Sequence, residues 1–516
     1  MRNKILYFSV LLFLSLCAYS CKEEIYVDFE YEPAQPRIGE QISFTNLSGG
    51  EVYNWTFGNG AISLAKNPKR TYTTPGIYKV TLRVDSNNKY VRSKEITVYD
   101  SVPTITRNIE EVSYFQNVTF STLAYNPFSR ELKYKWYFSK NAGGESLQDT
   151  GEEYLISNEA SPVVFFKTKD ITETVRLEMS IGDSIYTTKD ISAMSFQVKD
   201  APSHSLLITR KGKNMIRQRI FTNGVESPVE TNIPSGIYPF NMFSYGDQLY
   251  IFDAGSNIGE NTNWASDVSG NGNIRAVNLN NNAVTEVINN NGKSSYFGFY
   301  NGFADSKKIY WTDRNNYLYS LDKSSRNLSF EWLDASQYTL PYYLTQTDSL
   351  GIENDVYNGG IYVYDNIYFW AKGAPAKGIY RFTEKDIANQ TLSREPILDT
   401  YAVRAFTIDR INAQIYFSST DPLGLWVSNM DGTNVRLIEE APLDNDLEYI
   451  TGIAVDNKSG YLYWAYRAPE EKKAENPSGV KRIALVSGSA KPNLSTLEYV
   501  NRTDSIYGIA IDYVEK

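Results

Sequence analysis

At 516 residues, with a formal net charge of −9 and a pI near 5.1, the chain has length for three or four domains and lacks the basic tract that holds a nucleic-acid backbone. A single histidine (His204) and two cysteines (Cys17 and Cys21) argue against zinc clusters and histidine-based triads, so no cofactor, no metal and no catalytic residue is expected. Aromatic residues make up 14% of the chain, 40 of them Tyr, and runs such as Ile361–Trp370 and Tyr461–Tyr466 predict an all-β protein.

The N-terminus reads as an address. Arg2 and Lys4 precede the apolar run Ile5–Leu16 and then Cys17-Ala-Tyr-Ser-Cys21, the anatomy of a secretory signal over residues 1–20. That run is shorter than the roughly 20 residues of a membrane span. Ordinary cleavage would leave Cys21 as a free thiol. Ser20-Cys21, however, resembles the cleavage box of bacterial lipoproteins, although Ala18 stands where Leu is commoner. The resemblance implies acyl chains on Cys21 and a lipidated tether over 21–26. Lys22-Glu23-Glu24 is similar to the short signal that sends lipoproteins to the outer face of the outer membrane; it also reads simply as a solvated tether. The expected location is therefore the outer membrane, lipid-anchored and facing the cell exterior.

Residues 27–100 alternate apolar and polar positions between turn signals. Trp55-Thr-Phe57-Gly58-Asn59-Gly60 is followed by Tyr72 and Gly76-Ile-Tyr78-Lys-Val80. This resembles the PKD family of immunoglobulin-like sandwiches, with Trp55 and Phe57 facing the core and Gly58 and Gly60 supplying positive φ. Asn59 replaces the usual Asp, which weakens any case for a cation in the turn. After Val102-Pro103, residues 101–200 are read as a second immunoglobulin-like sandwich around Trp136. Both sandwiches are expected to be spacers.

From 201 to 516 a unit repeats. Val403–Asp409, Gln414–Ser418, Gly424–Asn429 and Val435–Ile438 form one copy; Thr451-Gly-Ile-Ala-Val-Asp456, Tyr461–Trp464, Val480–Leu485 and Thr496–Tyr499 form the next. Four short strands make one propeller blade. Gly-Ile-Ala-Val-Asp followed by Leu-Tyr-Trp resembles the YWTD-type propeller of six blades. Leu206–Thr209 and Arg217–Phe221 lack an innermost strand, and Tyr507–Asp512 lacks outer ones, so the two are expected to complete one blade and close the ring. Asp409, Asp456 and Asp512 recur at equivalent strand ends as turn residues. Trp311, Trp370 and Trp464 are expected to pack between blades.

Naming strands A (innermost) to D puts the A-to-B and C-to-D turns on one face. The long insertions 254–272, 334–358 and 467–479 fall on the other, where long loops favour function. They carry the expected ligand-binding residues Asn261, Asn263, Trp264, Tyr338, Tyr342, Tyr343 and Glu353. Flat rings beside amides suit a glycan or a peptide; equally, these aromatics could pin their own loops. The layout looks like accessory binding lipoproteins of starch-utilisation-type uptake systems, which implies a non-enzymatic nutrient binder working beside an outer-membrane importer. A propeller polysaccharide lyase or glycosidase, and a protein-binding adhesin or assembly partner, stay as alternatives. Cys21→Ala is expected to move the protein from the membrane to the soluble fraction, because acyl chains supply its membrane affinity. A variant that still sediments with outer membranes after a salt wash would refute the lipid anchor.

Overall fold

The computed structural model describes residues 25–151, 154–182, 192–200, 203–221, 224–255, 271–289, 299–313, 317–329, 343–346, 358–390, 395–440, 450–468 and 477–513. Its regular structure is almost entirely β, and among the described residues no helix is long and apolar enough to cross a membrane. The chain divides into two compact units, one of Met1–Ile105, Thr122–Lys135 and Arg176–Ala193, the other of Thr106–Ser121, Trp136–Val175 and Met194–Lys516.

The first sandwich pairs a sheet of Phe29–Glu32, Gln41–Asn46 and Lys69–Thr71 with one of Ile62–Ser63, Tyr53–Thr56, Gly76–Val84 and Val91–Val98. Strand alternation drives Trp55 inward, where it is fully buried and meets the Phe29 ring edge-on at 5.0 Å. Its indole N–H donates to Ala65 O at 3.0 Å, so burial leaves no polar orphan. Gly58 has φ of +75°, and a Cβ there would lie 2.9 Å from the Lys79 amide nitrogen. The turn therefore needs glycine for both conformation and space.

The second sandwich orders Ala142–Gly143, Val163–Phe166, Val118–Leu123 and Thr104–Arg107 in one sheet. The other runs Tyr154–Ser157, Leu132–Ser139, Ile171–Ile181, Ser192–Lys199 and Val112–Ser113. Its core repeats the motif of the first. Trp136 and Phe138 stack at 6.3 Å, as Trp55 and Phe57 do at 6.4 Å.

Six blades follow. Blade one takes A from Ile506–Asp512, B from Ser203–Arg210, C from Asn214–Phe221 and D from Val229–Pro234. Blade two is Asn241–Tyr245, Gln248–Asp253, Asn273–Asn278 and Val284–Asn289, with Leu328–Ser329 parallel at its rim. Blade three is Asn301–Ala304, Lys308–Thr312, Tyr317–Asp322 and Tyr343–Gln346. Blade four is Asn358–Tyr364, Ile367–Lys372 and Gly378–Phe382; the short helix Glu384–Asn389 follows, with no fourth strand among the described residues. Blade five is Val403–Asp409, Gln414–Thr420, Leu423–Asn429 and Arg436–Glu439. Blade six is Ile450–Asp456, Tyr461–Tyr466, Gly479–Ala484 and Glu498–Arg502. The A strands neighbour one another from blade to blade and back to blade one.

Closure is an antiparallel pairing of Leu206 with Ile511, Leu207 with Ala510 and Ile208 with Ile509. Side chains fasten it. Arg217 reaches the buried Asp512 carboxylate at 2.8 Å, and Thr209 Oγ1 accepts the Gly508 N–H at 2.8 Å. His204 Nε2 lies 2.5 Å from the Asp456 carboxylate of blade six. Burial opposes ionisation of Asp456, yet His204 and Ser459 hold its pKa below the usual carboxylate value. Trp311, Trp370 and Trp464 are buried in clusters that join residues of neighbouring blades.

One expectation is corrected. The stretch 334–358 is not a single insertion, because Tyr343–Gln346 is strand D of blade three, pairing with Tyr317–Tyr319; Tyr338 and Tyr342 therefore precede strand D in the chain and belong to a C-to-D connection, not to a D-to-A one. Four residues with one weak alternation carry too little periodicity to announce a strand.

The glycine of the repeat has a steric cause. A Cβ on Gly452 would fall 2.9 Å from Ile509 N and Tyr507 O of the adjacent A strand, and one on Gly508 would fall 3.0 Å from Met242 N. Alanine at 452 or 508 is expected to cost the propeller about 1–3 kcal/mol by overpacking, read as a lower denaturant midpoint. Gly49→Ala, with its nearest neighbour 3.9 Å away, is the control. An unchanged midpoint at both ring positions would mean that the strands part freely.

Candidate functional site

The A-to-B turns carry an unexpected cover. Lys307 of blade three pairs with Glu159 of the second sandwich at 2.7 Å. Lys458 of blade six lies 5.1 Å from the Tyr114 ring centre, and Tyr513, just past strand A of blade one, lies 6.5 Å from that of Phe115. Near the axis, Glu145 of the sandwich is ion-paired with Arg410 of blade five, with side-chain exposures of only 10% and 17%. Arg410 Nε also donates to the Tyr362 hydroxyl at 3.1 Å, and its guanidinium lies 5.2 Å from that ring. Burial pushes the Glu145 carboxyl up to about 7, against the pull of Arg410. This part of the second sandwich is a cap on the ring, which corrects the reading of that domain as a mere spacer.

Between the A strands runs a narrow channel of about 40 Å³, lined in part by Asn241, Asn301, Gly360 and Thr451. Asn241 Nδ2 donates to Asn301 Oδ1 at 3.2 Å. Such a volume holds about one or two waters, not a sugar ring. Any ligand of that size must sit at a mouth.

At the long-loop mouth, where the A strands begin, four aromatic residues gather. Phe240 stacks on Tyr300 at 4.5 Å and meets Tyr507 edge-on at 5.1 Å, while Tyr238 meets Tyr507 at 6.0 Å. Lys211 Nζ lies 3.8 Å from the Tyr238 ring centre, and the Arg467 guanidinium 4.6 Å from that of Tyr507. Asp253 shapes the entry by accepting the amides of Ile237, Tyr238 and Gly255 at 2.9–3.0 Å. Sequence reasoning missed this cluster, although an aromatic recurs at the leading end of strand A in blades one, two and three.

The residues expected from sequence are placed as follows. Tyr343 begins an outermost strand, its backbone opposite Tyr319. Asn261, Asn263, Trp264, Tyr338, Tyr342 and Glu353 lie outside the described residues, as do Cys21, Lys22, Glu23 and Glu24. The repeated aspartates are turn residues: Asp409 accepts the amides of Ile411 and Asn412 at 3.0 and 3.1 Å, and Asp456 that of Lys458 at 3.1 Å. Among the described residues, no group of three or more His, Cys, Asp or Glu converges as a metal site would need.

Residues 38–99 match the PKD domain family. No curated protein matches the chain. Among solved structures, the nidogen/laminin complex aligns with 61% of this chain and 100% of its own, at 15% identity and a TM-score of 0.41. The periplasmic gluconolactonase of Pseudomonas aeruginosa covers 58% of this chain and 83% of its own, at 10% identity and a TM-score of 0.34. The GH74 enzyme of Niastella koreensis covers 55% and 42%, at 12% identity and a TM-score of 0.31. These likenesses concern shape and carry no argument about activity.

Arg410→Ala is expected to destabilise the capped unit by about 3–5 kcal/mol at neutral pH, because Glu145 is left buried without its counter-charge. The loss should shrink as pH falls: a carboxyl whose folded pKa is raised above its unfolded one gains stability on protonation. Thermal unfolding of Arg410→Ala beside Glu145→Leu/Arg410→Leu checks this. Equal midpoints for the two variants would show that the pair is not desolvated.

Proposed function

We propose that the chain is a nutrient-binding protein of the cell exterior, anchored to the outer membrane through acyl chains on Cys21. The long-loop end of its propeller takes a glycan or an oligopeptide and presents it to an outer-membrane importer. The observation that carries this reading is the asymmetry of the ring. One end is occupied by the chain's own sandwich, and the channel of about 40 Å³ is too narrow to thread. That leaves the end with the long connections, where Phe240, Tyr300 and Tyr507, with Tyr238 packed against them, form a buried base. In this reading the ligand contacts come from the long connections: the Trp264 face covers sugar C–H surfaces and peptide side chains alike, and Asn261 and Asn263 supply hydrogen bonds. Lys22-Glu23-Glu24 and the signal-like first twenty residues support the surface location.

A glycan and peptide array on the protein lacking its lipid, followed by calorimetry, tests the reading. Trp264→Ala is expected to weaken the ligand found by about tenfold or more, since a buried aromatic contact contributes roughly 1–3 kcal/mol. Asp247→Ala, in an A-to-B turn at the capped end, should bind like the wild type. Equal affinity in both, with unchanged circular dichroism, would remove the long-loop site. Release of shorter products from a bound polymer would replace binding with catalysis.

A further inference from the structure

One end of the first sandwich receives the chain from its N-terminal side. Asp28 N donates to Ser48 Oγ at 3.0 Å and Leu47 N donates to Asp28 O at 3.0 Å, so the incoming chain is fastened to the segment that joins the two sheets. Ile25 packs on the same segment, 3.9 Å from where a Cβ on Gly49 would stand. Asp85 closes this end from the second sheet by accepting the amides of Glu51 and Val52, each at 2.9 Å. The point of entry is therefore rigid.

Three apolar side chains stand in solvent here. Tyr26, Leu47 and Val52 are 68%, 45% and 52% exposed, and none of them belongs to the sandwich core. Exposure alone does not set them apart, since Ile77 of the same sandwich is 58% exposed. Position does. Ile25 follows Cys21 by four residues, a reach of at most about 14 Å. Ile77 lies eight residues along its strand from Asp85, about 26 Å from the entry end. The charges at the entry end suit a headgroup layer. Asp28 is paired with Lys94 at 3.0 Å and with Arg92 at 3.3 Å, and the Tyr26 hydroxyl donates to it at 3.2 Å. Glu51 and Asp85 are exposed and limit the depth, because ionised carboxylates stay in water. The apolar side chains can then reach the interfacial zone, where tyrosine is favoured, and no further.

We infer that this end of the first sandwich is a membrane foot: Tyr26, Leu47 and Val52 rest in the interfacial layer of the bilayer that holds the acyl chains of Cys21. The inference rests on the lipid anchor proposed above and adds an orientation to it. The strands stand off the surface, with the Gly58–Gly60 turn pointing away. So short a tether keeps the foot at high effective concentration beside the lipid, and a small apolar gain suffices to seat it.

The test uses the full mature protein, purified with its acyl chains and reconstituted in vesicles of phosphatidylethanolamine and phosphatidylglycerol whose acyl chains carry a nitroxide. Mass spectrometry first reads the acylation. With Cys21 acylated and Cys17 removed with the signal, Val52→Cys or Ile77→Cys supplies one free thiol for a bimane label. The nitroxide is expected to quench the label at position 52 and to spare the label at position 77. High salt should leave that quenching in place, since it screens exposed charges and not apolar contact. Adding Tyr26→Ser/Leu47→Ser should reduce it, with circular dichroism unchanged. An acylated protein whose label at position 52 is quenched no more than that at position 77 would overturn the foot and leave the anchor standing. Quenching lost in high salt, or untouched by the two serines, would overturn its apolar character. A chain without acyl groups would overturn the anchor, and the foot with it.

Discussion

The antiparallel pairing of Ser203–Arg210 with Ile506–Asp512 turns a row of blades into a ring, and most of what the larger unit does depends on it. Without that pair, the B strand of blade one would offer an open, apolar edge and the A strands would have no common axis. With it, six strands converge until a single Cβ at Gly452 or Gly508 would collide with a neighbour's backbone. The channel is narrow because of that convergence. Its narrowness leaves no room for a sugar ring between the A strands.

The ends differ in chemistry as well as in cover. At the capped end, a carboxylate from one domain meets a guanidinium from another, beside a cavity of about 190 Å³ with mixed polar and apolar walls. A desolvated pair of this kind contributes little net stability compared with an apolar replacement, but it penalises any docking that leaves one charge alone. It therefore selects an orientation. At the long-loop end, Phe240, Tyr300 and Tyr507 form a small buried cluster, with the cation Lys211 lying against the neighbouring Tyr238 ring and Arg467 against that of Tyr507.

Much of the fold was legible in the sequence because its signals are local. Trp55 and Phe57 in a glycine turn, the Gly-Ile-Ala-Val-Asp unit around Gly452, and the unmatched strands at Leu206 and Ile509 each state their structural need within a dozen residues. Tyr343–Gln346 was hidden because a four-residue strand has almost no pattern. The cap was hidden for a deeper reason: Glu145 and Arg410 are 265 residues apart, and neither has a neighbour that hints at the other. The mouth cluster lay between these extremes. Phe240, Tyr300 and Tyr507 each lead an A strand, a recurrence that blade alignment exposes only when the residues ahead of the strand are counted.

Closure through distant segments also sets a schedule. Thr209 and Gly508, which share a hydrogen bond, are 299 residues apart, so a ribosome adding about 5–20 residues each second makes the first wait some fifteen to sixty seconds for the second. During that interval Ser203–Arg210, buried at all eight positions in the finished ring, has neither its inner neighbour nor a closed wall around it. Nascent chains of this protein are thus most vulnerable to misassociation in the middle of their production, and a chaperone that shields this one strand would protect the whole ring.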